Sequence, residues 1–500
     1  MYGIETEKGV IKMLLESIDY KKVFYYFEEI SKVPRGSKNN QEISDYLVKF
    51  ATEHQLQYIQ DKYLNVILFK EATRGYEKSP TVMIQGHMDM VCEKESDCQH
   101  DFKTEGLELE IEDDFIYAKG TTLGGDDGIA IAYALAILSD NTLKHPPLEV
   151  VITTDEEIGM DGAIGLDASV LKADYMLNID SEEESVLLSS CAGGMTSTCS
   201  FSIDDENEKE FTRIKKEGNK INLTISGLQG GHSGAEIDKN RTNATTLLGR
   251  VLNSLKREQI SFEVITMYGG AKDNAIPREA VAELVVEETE ILKKKITEIT
   301  AVVKQELKTS EPGVVISITE DGKGNFNVLT ENLTESILFM LEYAPNGIQT
   351  MSSDIEGLVE SSLNLGIFKV EDKEVVFSYS VRSSVSSYKQ YLGEKLKGLI
   401  EYLGGTYSMK SEYPAWEYKK QSKLRDILCQ VFEKQYGHQP KVEAIHAGLE
   451  CGIIAGKMPR IDIVSFGPNI YDIHTPKEKM SISSAIRVYD YIVNVLEAMA

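Results

Sequence analysis

Apolar positions along this chain repeat with two different periods, and the switches between them divide it into elements. Residues 9–60 carry helical spacing, with Val23, Tyr26, Phe27 and Ile30 on one face, until Pro34-Arg35-Gly36-Ser37 breaks the pattern. Short apolar runs at 64–69 and 81–85 then predict strands, and 128–139 predicts a helix of small apolar residues. Runs at 148–153 and 175–179 have the length and composition of buried strands. Strands alternating with helices predict an α/β fold: a mixed, mainly parallel sheet flanked by helices.

The texture changes near residue 200. Residues 204–220 are dense in charge and read as a solvated loop or hairpin. An alternating strand at 220–226, a glycine-rich turn at 227–234 and a helix through Leu255 follow. Leu292, Ile296, Ile299 and Val303 form the apolar stripe of an amphipathic helix, a packing face. Strand then helix recurs at 314–318 with 333–343, and at 375–381 with 388–403. Residues 196–411 therefore read as an inserted α+β domain of two related halves, and Tyr413-Pro414-Ala415-Trp416 as the return linker. A helix at 422–436, a strand at 461–466 and a closing helix after Ser481 would complete the first domain, made of 1–195 and 412–500.

Composition narrows the function classes. Five hundred residues give a prior of about three domains, which the insertion reduces to two. The chain is 42% hydrophobic with 12 prolines, which argues against disorder. It carries 53 basic and 80 acidic side chains, a net charge of −27. Such a field repels phosphate and anionic lipid, so neither nucleic acid nor a membrane surface is an expected partner. The start, Met1-Tyr2-Gly3-Ile4-Glu5-Thr6-Glu7-Lys8, lacks the basic and apolar blocks of a signal peptide. The longest apolar run, 129–138, falls far short of the ~20 residues of a membrane span. Cysteines at 92, 98, 191, 199, 429 and 451 form no CxxC pair. A cytoplasmic enzyme or binding protein is the expectation.

The candidate chemistry lies at strand ends, where an α/β sheet presents its ligands. His87 and Asp89 stand two apart after the strand at 81–85, so an extended backbone points them the same way. The run Gly120 to Gly128 holds Asp126 just before a helix; two acids there disfavour a phosphate cradle and favour a metal-facing carboxylate. Asp155-Glu156-Glu157 closes the strand at 148–153, where consecutive acids are costly unless solvated or paired with a cation. One of them can ligate while its neighbour acts as a general base. Asp180 closes the strand at 175–179, and His474 follows the one at 461–466. Each segment alone also reads as a plain solvated turn or helix cap. Together, two imidazoles and several carboxylates from separate strand ends fit a site for two borderline-soft divalent cations. No nucleophile elbow competes, because Gly231-His232-Ser233-Gly234 has the wrong spacing.

The ordered strings GHMDMVCEK, GTTLGGDDGIA, TTDEEIGMDGA, NIDSEEE, GLQGGHSGAEI, NAIPRE, HAGLECG and IHTPKE resemble the aminoacyl-histidine dipeptidases, co-catalytic zinc metallopeptidases that include bacterial carnosinases. The resemblance runs from about residue 80 to 480. It implies a catalytic α/β domain with an inserted lid, which closes over a dipeptide of the Xaa-His kind and excludes water. Asp126 would bridge two divalent ions, zinc first, with cobalt or manganese as alternatives. His87 and Asp180 would complete one ion's ligands, Glu157 and His474 the other's. Asp89 would orient His87, and Glu156 would be the general base. His232 would stabilise the oxyanion; Asn274 and Arg382 would contact substrate carboxylate or carbonyl, and His446 would lie near substrate. Where relatives often have Asp-Asn, this chain has Asp126-Asp127. A lid histidine acting from a partner subunit would imply a homodimer through the lid, whereas a lid of two halves would allow it within one chain. The alternatives are an N-acyl amino acid amidohydrolase on the same fold and a non-catalytic metal-binding protein.

Overall fold

The structure, a computed structural model, describes residues 14–203 and 211–499. The helical spacing at 9–13 and the first part of the charge-dense segment, 204–210, lie outside the described residues. The chain divides into two compact units. The first comprises Met1–Ser190, Tyr418–Glu443 and Ile453–Ala500; the second comprises Cys191–Glu417 and Ala444–Gly452.

The first unit is built on an eight-stranded sheet. Its order is Gln57–Gln60, Val66–Lys70, Leu148–Thr153, Val82–His87, Tyr175–Asn178, Asp462–Ser465, Val186–Cys191 and Lys441–Ile445. The four strands from Leu148–Thr153 to Asp462–Ser465 are mutually parallel, so their carboxyl ends share one edge. Register fixes that edge: His87 pairs with Thr153, Gln85 with Asn178, and Asn178 with Ser465. These strands are apolar almost throughout and buried on both faces, as parallel strands must be. The helix Gly125–Ser139 is buried from Gly128 to Leu138 because those residues are apolar all round. Regular helical backbone begins only at Gly128, since Asp126 and Asp127 have non-helical dihedrals and a cis peptide between them. A second, four-stranded sheet pairs Leu109–Glu112, Phe115–Ala118, Lys479–Ser481 and Ile470–Tyr471. It pins the 470–481 hairpin, which carries His474, to the unit.

The second unit holds one antiparallel nine-stranded sheet. Arg213–Ser226, helix Ala244–Arg257, Glu263–Gly269, Ala280–Val286, helix Thr289–Glu306 and Val315–Leu329 form a strand-helix-strand-strand-helix-strand half. Gly193–Ser202, helix Glu331–Tyr343, Val359–Val370, Glu374–Ser383, helix Ser386–Tyr402 and Thr406–Tyr413 repeat that order. The first half is thus nested inside the second, between its first strand and first helix. The two join edge to edge where Tyr268 pairs with Lys369 and Gly269 with Phe368.

Several details differ from the sequence expectation: residues 57–60, read within the helical stretch, form the strand Gln57–Gln60, and the strand at 314–318 and the helix at 333–343 fall in different halves. The charged stretch read as a solvated loop or hairpin is strand from Arg213 onward, paired with the distant Val315–Leu329. Its charges are met across strands, Lys216 with Glu263, Lys220 with Glu283 and Glu217 with Lys323, so the strand needs no apolar alternation there. The unit boundary also shifts, and 191–195, 412–417 and 444–452 join the second unit. Backbone lacing explains it. Cys191 and Trp416 exchange N–H···O bonds, and Ala192 N–H donates to the carbonyls of Ile445 and Ala447. Among the described residues, no helix is long and apolar enough to cross a membrane.

Ile84 sits in the middle of the parallel strands with no exposed surface. Ile84→Ala should cost ~2–5 kcal/mol of unfolding free energy. Urea denaturation followed by circular dichroism measures it, and a loss below ~1 kcal/mol would contradict the two-sided burial.

Candidate active site

The shared carboxyl edge of the parallel strands gathers the acids. His87 is the last residue of its strand, Asp155-Glu156-Glu157 follows Thr153, and Asp180 follows Asn178. Asp126 arrives from the loop ahead of Gly128, and His474 from the 470–481 hairpin. His87 Nε2 lies 3.1 Å from Asp126 Oδ1 and 3.5 Å from Asp180 Oδ1. His474 Nε2 lies 3.2 Å from Asp126 Oδ2 and 3.0 Å from Glu157 Oε2. Asp126 therefore offers one oxygen to each imidazole. His87, Asp126 and Asp180 form one group whose ligand atoms all lie within 4.8 Å of one another, and Asp126, Glu157 and His474 form another. Glu156 makes a third such group with His87 and Glu157, which sets its carboxylate beside both.

Asp89 is fully buried and does more than face the histidine. His87 Nδ1 is 3.1 Å from the Asp89 carbonyl oxygen and 3.5 Å from its carboxylate. That carboxylate also accepts from Ser37 Oγ and from the backbone N–H groups of Glu156 and Glu157. One side chain thus ties the first imidazole to the acidic pair. His87 loses solvation on burial, yet hydrogen bonds to Asp126, Asp180 and Asp89 hold its pKa well above the ordinary value. Hydrogen bonds to Asp126 and Glu157 raise His474 to about 10. Burial opposes ionisation of Asp126, but His474 and His87 keep its carboxyl below the usual range. Burial and the charge of Asp126 raise Glu157. The cluster is built to hold positive charge, and Glu157 Oε1 is buried with no hydrogen-bond partner. Two imidazoles and three carboxylates, one of them shared, suit two divalent ions with mixed N and O ligands.

The second unit brings its own candidates together. His232 ends the short strand Gly231–His232, paired with Ala275–Ile276. Its Nδ1 accepts from the N–H groups of Gly234 and Ala235, which leaves Nε2 as the protonated nitrogen. Burial and the nearby Arg382 lower its pKa, so the ring is a neutral donor. Arg382 Nη1 donates to the Tyr413 hydroxyl, while its Nε is buried without a partner. His446 Nε2 is 2.7 Å from Ser362 Oγ, and its Nδ1 is buried without a partner. Gly234 lies between them. A Cβ there would sit 2.7 Å from the His446 carbonyl oxygen, 3.0 Å from His232 Cε1 and 3.2 Å from Arg382 Nε. Asn274 meets this cluster only through its backbone, where its carbonyl accepts from Ser233 N–H, and its side chain is exposed.

Nothing in the sequence marks Ser362, and Tyr413 reads there only as part of the return linker. Ser362 sits opposite Arg382 in the strand register, and only the fold reveals that.

Comparison with known proteins finds relatives along nearly the whole chain. A profile of Peptidase family M20/M25/M40 matches residues 83–498. The cytosol non-specific dipeptidase of Escherichia coli K12 is 33% identical over 473 residues, 94% of this chain and 96% of that protein. The crystal structure of aminoacylhistidine dipeptidase from Vibrio alginolyticus superposes with a TM-score of 0.87 at 36% identity, covering 95% of this chain and 96% of that one. The aminopeptidase PepT of Bacillus cereus shares the fold, with a TM-score of 0.55 at 16% identity over 96% of this chain and 99% of that one. With a profile match across most of its length and a relative one third identical nearly from end to end, this chain belongs to peptidase family M20/M25/M40.

Proposed function

We propose that this peptidase is a metal-dependent dipeptidase acting on Xaa-His dipeptides. The observation that carries the reading is Asp126, one carboxylate held between two imidazoles with a further acid beside each. In this reading Asp126 would be shared by two divalent ions, zinc first. His87 and Asp180 complete one ligand set, and Glu157 and His474 the other. Divalent ions bound there would supply Lewis acidity toward the scissile carbonyl and the attacking water.

The residues of the chain do the rest. Asp89 fixes the His87 ring and the backbone of the acidic pair. Glu156 takes the proton of the attacking water and passes it to the leaving amine. His232 donates its Nε2–H to the oxygen that gains charge, a contribution of ~2.7–4 kcal/mol for a well-placed donor. Arg382 and His446, each with an unpartnered buried nitrogen, hold the substrate carboxylate. Asn274, whose side chain is exposed, is the candidate for a further contact to a substrate carboxylate or carbonyl.

The Xaa-His preference draws on the 36% identical Vibrio alginolyticus enzyme, named for aminoacylhistidine. The Escherichia coli relative is named a non-specific dipeptidase, which favours a second reading with a broader dipeptide range. Its name also supports a cytosolic location.

A panel of carnosine, other Xaa-His dipeptides, dipeptides without histidine and N-acetyl amino acids separates these readings. Hydrolysis should be confined to dipeptides, vanish after dialysis against a chelator, and return with zinc, cobalt or manganese. Preference for N-acetyl amino acids would overturn the dipeptidase reading. Glu156→Gln should keep its metal content while kcat falls ~10²–10⁴-fold; full turnover in that variant would remove Glu156 as the base.

His446 gives a pH test of the second cluster. Burial, and then the charge of Arg382, lower its pKa from 6.5 to about 3. Below pH 6.5 the unfolded chain binds a proton there that the folded chain refuses. Stability is therefore full above pH 6.5 and is lost as pH falls toward 3, with a slope of up to ~1.4 kcal/mol per pH unit. Urea unfolding at pH 7, 6 and 5 should show a shallower decline for His446→Gln than for wild type. Equal slopes would mean that His446 is not a buried neutral imidazole.

A further inference from the structure

We infer that Arg35 and Glu478, which touch none of the reacting groups, form a buried clamp that sets the position of the shared carboxylate Asp126. The inference rests on the reading of Asp126 as a metal ligand.

Glu478 is nearly fully buried, four residues beyond His474. Its Oε2 accepts from the backbone N–H groups of Leu123 and Gly124, at 2.8 and 2.9 Å. Its Oε1 accepts from those of Gly125 and Asp126, at 2.8 and 3.3 Å. One carboxylate thus gathers four successive amides, ending on the residue that carries the shared ligand.

Arg35 comes from the opposite direction, out of the Pro-Arg-Gly break that follows helix Val23–Ser31. It is among the largest fully buried side chains in the chain. Its Nη1 donates to the carbonyls of Met88, at 3.1 Å, and Asp89, at 3.4 Å, just after His87. Its Nη2 donates to the carbonyl of Gly124. Gly124 is therefore held at its N–H by an anion and at its carbonyl by a cation.

The glycines of the loop fit this purpose. Gly124 has φ +63°, and a Cβ there would sit 2.5 Å from Arg35 Nη2. A Cβ on Gly128 would sit 2.6 Å from the same atom. Both positions are kept bare for the guanidinium. The glycine-rich run thus cradles a side chain of its own protein. The guanidinium also places a permanent positive charge among Glu478, Asp89, Asp127 and Asp126, acids that would otherwise repel one another. Arg35 spans the His87 and Asp126 segments, and Glu478 spans the Asp126 and His474 segments. Between them they link three stretches of chain that contribute ligands.

Both are positioning residues, so the test reads metal affinity as well as turnover. Arg35→Lys, which keeps the charge but loses the planar fork, and near-isosteric Glu478→Gln would be made in the full chain, and zinc and cobalt affinity measured by chelator competition. Removing such outer hydrogen bonds typically weakens metal binding 10–100-fold, and that range is expected for each variant. KM at saturating metal should stay within about twofold of wild type, because neither side chain is asked to touch substrate. In Arg35→Ala, millimolar guanidinium should restore metal affinity and methylammonium should not. Wild-type affinity in both conservative variants, with only the melting temperature of the metal-free protein lowered, would reduce the pair to a structural role and overturn the clamp. Wild-type protein that takes up no zinc or cobalt would overturn the metal reading itself, and the clamp with it.

Discussion

Concentrated negative charge at one edge of a parallel sheet is the constraint on which the first unit depends. Parallel strands are the device that brings acids from distant segments to a common edge, but the same geometry crowds them. The structure answers with opposite charge at close range. His87 and His474 stand against Asp126, and Arg35 lies buried behind the loop. Neighbouring acids then diverge: Asp126 is held below the ordinary carboxyl range, while burial and the charge of Asp180 push Asp127 well above it. Two adjacent aspartates thus have opposite tendencies, one exposed to both imidazoles and one turned into the protein. Asp127 Oδ2 packs so closely on the strand that a Cβ at Gly86 would sit 2.3 Å away.

The second unit handles polarity differently. Its histidines are depressed, because burial and a shared arginine disfavour the imidazolium. The first cluster attracts cations, and the second keeps neutral donors and a single guanidinium.

The acids at strand ends were legible in sequence because each follows an apolar run short enough to be a strand. His474 was legible through its motif, although its delivery depends on a hairpin pinned to residues 109–118. What the sequence hid works through the backbone. Arg35 binds carbonyls and Glu478 binds amides, and main-chain partners leave no trace in residue identity. The Pro-Arg-Gly segment therefore reads only as a break. The alternation at 220–226 marked part of the strand Arg213–Ser226, but its start at 213–219 was hidden for another reason. Cross-strand ion pairs replace the alternation that marks a half-buried strand. Nesting of the two halves was equally invisible, since Gly193–Ser202 finds its partners only after the whole first half has passed.

Strand order in the first sheet has a consequence for how the molecule is made. Asp462–Ser465 is an interior strand, flanked by Tyr175–Asn178 and Val186–Cys191, which leave the ribosome long before it. Until it emerges, the sheet has a gap with raw edges on both sides, and His474 and Glu478 do not yet exist. A chain cut short before this point has neither a closed sheet nor a full set of candidate ligands. The late interior strand and His474 lie on the same stretch of chain, so the sheet and the set of candidate ligands are completed together.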